Sequence, residues 1–349
     1  MFDQTASQDS PEPMLRIGST MGVPTALRSL GLDPHEVLVE GGFDPELFDD
    51  PDNVMSFSAR GRLMAHCTAQ SKCEHFGLLV GKESSLHSLG LVGLLMRYSP
   101  DINTALNNLL RYFHLHARGA VLSLQVQGKS AILAYQIPYR RTHGNNHVSD
   151  GAIAVMFNVL RELCGREWKA LEFWSMHKAP ENIEPFRQFF RAPLRFNAEL
   201  NALVFDASWL SYSLPEVHSD VRRLVQKQID LLAAQHAEDF PGQVRTVLRT
   251  ALFSGHARSD QVAALFSMHP RTLNRRLNTY GIGYQELLDE TRFEIAQQML
   301  KESSLEVSEI ALRLDYAEAR SFIRAYRRWS GTTPGRWRAT EKQLRQKRI

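Results

Sequence analysis

The sequence predicts two folds in series. An α+β N-terminal domain precedes an all-α C-terminal domain built from two helix-turn-helix units joined by a connecting helix. Two alternating runs, AVLSLQVQG and KSAILAYQIPY, meet at Gly128–Lys129 and read as a β-hairpin among helical segments. Beyond residue 240 every apolar pattern is helical. There the chain also echoes itself, as SDQVAALFSMHPRTLNRRLNTYG and again as VSEIALRLDYAEARSFIRAYRRWSG. The expected organisation is a disordered start at 1–13, an α+β domain at 14–215, a connecting helix and linker at 216–240, and the double unit at 241–349.

Composition narrows the class. With 349 residues, 43% hydrophobic, the chain is long enough to bury more than one core. No stretch approaches the roughly 18 to 20 apolar residues of a membrane span. The start, MFDQTASQDSPEP, lacks the basic-then-apolar pattern of a secretion signal. Cys67, Cys73 and Cys164 form no CxxC pair, as expected of reduced thiols in a cytoplasmic protein. Charge is asymmetric. Residues 240–349 hold 19 Lys/Arg against 11 Asp/Glu, a net +8, and the remainder carries −5. A basic end on an acidic body points one end at a polyanion.

In chain order, a helical segment at 17–30 leads into a loop rich in Gly, Asp and Pro with short helical turns. Residues 56–68 have helical spacing, with Ser56 or Ser58 as cap. Ile102, Leu106, Leu109, Leu110 and Phe113 form one stripe and predict a helix at 102–116. After the hairpin come a helix at 148–164, a strand in LEFWSMH, a helix at 183–190 and a strand in ALVFDASWL. The helix expected at 215–238 carries Val217, Val221, Leu224, Val225, Ile229 and Leu232. It fits a connector, a dimerisation element or packing on its own domain equally well.

The echo matches element by element. Each copy has a Ser cap, then a short helix whose core is Val262, Ala263 and Phe266, or Ile310, Ala311 and Leu314. A turn leads to a second helix anchored by Leu273 and Leu277, or by Phe322 and Tyr326. The first helices align at an offset of 48 and the second at 49, through one extra residue after the second turn. With the anchors inward, Arg271, Asn274, Arg275 and Asn278 share the opposite face, and in the second copy Arg320, Arg324 and Arg327 do. Arg offers a two-pronged donor to guanine, and Asn a donor–acceptor pair to adenine. Arg276, Arg328 and the N-terminus after Thr333–Pro334 suit phosphate contacts, which position without specifying. YQELLDETRFEIAQQMLKES joins the copies; about 17 helical residues span roughly 26 Å. That length sets two reading helices about one DNA turn apart.

HPRTLNRRLNTYGIGYQELLDETR, RFEIAQQMLKES and VSEIALRLDYAEARSFIRAYRRWSGTTPGRWR resemble the DNA-binding domain of the AraC/XylS family of bacterial transcription regulators, over nearly all of 241–338. FGLLVGKE and LMRYSPDINTALNNLLRYFHLHARGAVLSLQVQG are similar to that family's non-cupin, arabinose-binding type of sensor domain. The resemblance implies double-stranded operator DNA as partner. Beyond it stand a small-molecule effector, RNA polymerase and a homodimer. It directs DNA contacts to Arg271, Thr272, Asn274, Arg275, Arg276, Asn278, Glu318, Arg320, Arg324, Arg327, Arg328 and Thr333. Four positions depart from the family pattern. Ser267 and Asp315 stand where its turns carry glycine, and His269 and Ala317 replace its Ser caps. Ala317 caps poorly, Glu318 offsets that through the helix dipole, and Asp315→Gly is expected to tighten DNA binding.

A sensor domain implies a largely apolar pocket with a few polar anchors. Arg97, Tyr112, His116 and Arg118, beside GLVGLLM and the hairpin, are the candidates. His114 and His116 sit two apart, and His143 and His147 lie in a loop without nearby Cys or carboxylates, so no metal is expected. No GxSxG, P-loop, HExxH or dinucleotide fingerprint occurs, and neither enzyme nor cofactor is expected. The leading expectation is a sequence-specific transcription regulator under small-molecule control. Its alternatives are a regulator whose N-terminal domain only dimerises, and an enzymatic or metal-dependent N-terminal domain fused to a DNA reader.

Overall fold

The computed structural model describes residues 14–117, 120–137, 144–215, 219–235, 240–253, 257–266, 268–302 and 305–346. The expected disorder at 1–13, together with Arg118, His143 and Ser267, lies outside the described residues. Two compact units divide between residues 238 and 239.

In the first unit β1 (Met14–Arg16) pairs antiparallel with β2 (Val54–Ser56). The helix expected at 17–30 is shorter. Residues Ile17–Thr20 make a 3₁₀ turn, and α1 (Val23–Ser29) starts afresh around Pro24, which suits a first helical turn. α2 (Pro34–Glu40) follows, capped by Asp33. α3 (Phe57–Ser71) begins at Ser56, whose hydroxyl accepts from the Ala59 amide at 3.2 Å. α4 (Phe76–Lys82) and α5 (Leu91–Arg97) carry the glycine-interrupted apolar runs. α6 (Ile102–His116) matches its expected bounds and is capped by Asp101.

The hairpin forms as expected from β3 (Val121–Gln127) and β4 (Ser130–Gln136), with Gly128 at φ 59° in the turn. α7 (Asn145–Cys164) runs through the middle of the unit, buried along most of its length. Gly77 and Gly81 let α4 lie against it; a Cβ on Gly77 would stand 2.0 Å from the His147 carbonyl oxygen. β5 (Ala170–Trp174), α8 (Glu184–Phe190), β6 (Leu194–Arg195) and β7 (Asn201–Asp206) complete a five-stranded sheet of order β3-β4-β7-β5-β6. The strand expected through ALVFDASWL stops at Asp206, because that carboxylate caps a 3₁₀ turn through the Ser208 amide at 2.8 Å.

α9 (Ser219–Gln235) is anchored along one side. Val225 and Ile229 are buried in the first unit's core, so the helix packs on its own domain. Tyr112 Oη on α6 donates to Asp230 at 2.9 Å and accepts from Gln226 at 2.8 Å, which pins the two helices together.

The second unit is all helix: α10 (Phe240–Phe253), α11 (Ser259–Leu265), α12 (Pro270–Asn278), α13 (Tyr284–Glu302), α14 (Val307–Arg313), α15 (Ala319–Ser330) and α16 (Pro334–Gln346). One core takes in the anchors of both repeats: Leu273, Leu277, Phe322 and Tyr326 are all fully buried. The expected Ser caps are corrected. Ser259 and Ser308 lie inside their helices, while Gln261 and Glu309, at the offset of 48, reach back to the Arg258 and Glu306 amides at 3.4 and 2.8 Å. That is the returning half of a capping box.

Candidate nucleic-acid interface

α12 and α15 are held by equivalent turns. Met268 N–H donates to Ala263 at 2.9 Å, and Tyr316 N–H to Ala311 at 3.0 Å. In the second turn Asp315 N–H also donates to Leu312 at 3.1 Å, and Asp315 is left-handed at φ 62°. This pair of bonds closes a helix in the manner that usually calls for glycine at the left-handed residue. Asp315 gains a compensation. Arg292 of α13, stacked 4.7 Å over the Tyr316 ring, donates to the Leu314 carbonyl at 3.1 Å and stands 3.9 Å from the Asp315 carboxylate. The residue therefore faces a cation of its own domain.

Caps differ from expectation at one of the two reading helices. His269 caps α12, its Nδ1 accepting from the Arg271 amide at 3.2 Å. Glu318, not Ala317, is the last extended residue before α15, at φ −138° and ψ 139°, and its side chain makes no cap bond. The helix starts one residue later than the sequence pattern indicates.

The expected contact residues fall into two groups. Arg271, Arg275 and Asn278 on α12 are exposed, as are Glu318 and Arg320, Arg324 and Arg327 at or on α15; Thr272 is half-buried. These form two outward, mainly cationic faces opposite the buried anchors. Four others have structural work. Asn274 Oδ1 accepts from the Tyr284 amide at the start of α13, at 3.1 Å. Arg276 lies 4.0 Å over the Phe240 ring. Arg328 donates to Asp289 of α13 at 2.6 Å. Thr333 Oγ1 accepts from the Arg336 amide at 3.4 Å and caps α16. Sequence periodicity finds the face but not these local bonds. α13 is fastened to α10 as well, with Arg245 on Glu290 at 2.6 Å and on Glu294 at 3.0 Å, and Arg249 also on Glu294.

The first unit holds a cavity of about 50 Å³ between α3, α6, α7 and the hairpin, walled by side chains such as Leu106, Leu133, Met156 and Leu160. Of the three candidate anchors among the described residues, Arg97, Tyr112 and His116, only His116 lines it. Burial, with Arg16 and Arg60 nearby, pushes its imidazole down to about 3, so it is neutral. Arg97 instead pairs with Glu162, and Tyr112 fixes α9. The polar groups that do line the cavity include Arg60, Tyr135 and His147. Arg60 was legible: it shares a helical stripe with Leu63, Met64 and Cys67, all buried. A charge on an apolar stripe is the signal that points to it.

Two helix-turn-helix units on one core, each presenting an arginine-bearing helix, define a bipartite DNA-binding domain. Comparison with known proteins agrees. Residues 31–214 match the family model described as the arabinose-binding domain of AraC transcription regulators, and residues 262–340 match a helix-turn-helix domain model. The chain belongs to the AraC family of transcription regulators. It is 26% identical over 330 residues to the HTH-type transcriptional regulator VirS of Mycobacterium tuberculosis, covering 93% of this chain and 96% of VirS. It is 23% identical over 299 residues to the ornithine utilization regulator of Pseudomonas aeruginosa, covering 84% and 87%. The crystal structure of the transcriptional regulator CdpR from Pseudomonas aeruginosa aligns at TM-score 0.43 and 18% identity, over 89% of this chain and 97% of CdpR. The protein is a DNA-binding transcription regulator of AraC type.

Proposed function

We propose that the protein grips one side of operator DNA with both helix-turn-helix units, under control of a small molecule bound in its N-terminal unit. The observation that carries the DNA half is the pair of cationic faces on α12 and α15, joined through α13 in a single core. The 19 residues of α13 span roughly 28 Å, close to the roughly 34 Å of one DNA turn. Arg271, Arg275, Asn278, Arg320, Arg324 and Arg327 then meet base edges, while Arg276, Arg328 and Thr333 steady the helices that carry them. Moving the two half-subsites apart by five base pairs turns one to the opposite side of the duplex. A footprint should then lose one subsite; equal protection of both at unchanged affinity refutes the rigid two-groove reading.

Control requires that a ligand bind two states of the protein unequally. The largely apolar cavity beside Arg60 and His116 supports such a site in the N-terminal unit. α9 supports a homodimer: Leu224 and Leu231, one heptad apart, are 61% and 50% exposed. Leu224→Glu with Leu231→Glu should lower the mass measured by light scattering; an unaltered mass removes α9 from the interface. In this reading the protein works in the bacterial cytoplasm, with RNA polymerase as onward partner and no catalytic step of its own.

A further inference from the structure

Arg60 is 6% exposed, yet among the described residues no carboxylate pairs with it. Its Nη2 donates to Tyr135 Oη at 2.8 Å, its guanidinium lies 4.8 Å over the Phe57 ring, and its Nε has no partner among the described residues. An uncompensated buried cation costs several kcal/mol. The neighbouring charges are already satisfied. Arg16 is bonded to Asp52, and Asp150 on α7 is bonded to His177 at 2.9 Å. Two more polar atoms of cavity-lining side chains, His116 Nδ1 and His147 Nδ1, lack partners among the described residues. The rest of the wall is almost wholly aliphatic and aromatic.

We propose that this cavity binds a small monocarboxylate, its anionic head on Arg60 and its short apolar tail among the leucines of α6 and α7. The inference rests on the effector reading above and names the ligand's chemical class. Tyr135 Oη accepts from Arg60, which leaves its own proton free for the carboxylate. The guanidinium Nε–H offers a second, charge-assisted bond. One guanidinium suits a monoanion, whereas a phosphate dianion would leave charge unpaired. A sugar would leave its hydroxyls without partners along the apolar wall. Volume sets the length: one water needs roughly 10–15 Å³ of such space, so about 50 Å³ equals roughly four or five waters, and because bonded atoms lie closer together than waters it takes an acid of on the order of six heavy atoms, the size of butanoate.

Isothermal titration of the full chain with sodium butanoate, butanamide, 1-butanol and butylamine isolates the head group at constant tail. Butanoate should bind at least tenfold more tightly than the other three. Arg60→Gln should lose at least tenfold of that affinity, and Arg60→Lys less. Equal binding of butanamide and butanoate overturns the proposal, as does an Arg60→Gln affinity within twofold of wild type. If Arg60→Gln fails to fold, the comparison of butanoate with butanamide on the wild-type chain still decides. An operator-binding assay separates the two claims. Arg60-dependent butanoate binding without change in operator affinity supports the site and overturns the effector reading. A neutral metabolite that changes operator affinity, with no carboxylate binding, overturns the carboxylate assignment and leaves the effector reading standing.

Discussion

Asn274→Ala separates reading from support within one helix face. Asn274 is exposed on α12 between Arg271 and Arg275, where periodicity alone makes it a base-reading residue. Its Oδ1, however, accepts the Tyr284 amide at 3.1 Å, and that amide is one of the unpaired donors at the start of α13. Recognition of adenine needs the carboxamide's acceptor and donor together, and here the acceptor is taken. Removing the side chain leaves a part-buried N–H without its partner, at about 1 kcal/mol. For a unit of this size that lowers the unfolding temperature by roughly 4 °C. Calorimetry of the full chain should show the transition of the second unit move by that amount. Hydrogen exchange should speed up in peptides covering residues 284–288. Operator variants should be bound with the wild-type ranking. An unshifted transition combined with lost discrimination at one A·T pair refutes this reasoning and returns Asn274 to the reading group.

Arg271→Ala and Arg324→Ala remove exposed guanidinium groups, so folding stability should stay within about 0.5 kcal/mol. Each should weaken operator binding by about 1–3 kcal/mol and relax preference at one base position, measured by binding to single-base operator variants; wild-type footprints for both would sink the face assignment. Asp315→Gly relieves a left-handed non-glycine residue at a partly exposed ion pair, and should raise thermal stability by up to about 1 kcal/mol without loss of DNA affinity; a destabilised variant would show the Arg292 contact outweighs the strain. His116 is held neutral, far below its ordinary 6.5, so the unfolded chain takes up a proton that the folded chain refuses as pH falls. It therefore costs the fold nothing above pH 6.5 and destabilises it increasingly below, by about 2 kcal/mol between pH 6.5 and 5. Urea titrations should show a shallower acid slope for His116→Gln. His177 acts the other way. Burial lowers its pKa but the Asp150 carboxylate overrides this and raises it, so its contribution is full below pH 6.5 and fades as pH rises past its raised value.

Much of this was legible because period and repetition survive burial. The stripe on 102–116, the hairpin at Gly128 and the paired anchors Leu273, Leu277, Phe322 and Tyr326 are all spaced by backbone geometry, so the sequence carries them directly. Other contacts are hidden from the sequence. Asn274, Arg276 and Arg328 are each engaged by a residue from another helix, Tyr284, Phe240 or Asp289. Spacing within one helix contains no information about such partners. The partner of Arg60 is hidden for the same reason: Arg60 and Tyr135 are 75 residues apart and meet only in the folded unit.

The two reading helices end up asymmetric in a way the repeat conceals. α12 is capped by His269, is tied to α13 through Asn274 and has Arg276 packed on Phe240, so much of its polar inventory supports the fold. α15 has no side-chain cap at Glu318, yet keeps Arg320, Arg324 and Arg327 exposed, with Arg328 alone diverted to Asp289. Asp315 is directed at Arg292, within the domain, so its carboxylate is no reason to discount the second unit. Three exposed arginines on α15 against two arginines and one asparagine on α12 favour the second unit as the stronger source of charge-assisted contacts. The first unit holds the more rigid frame. On the proposed reading, specificity comes from both faces, held at a fixed separation by α13.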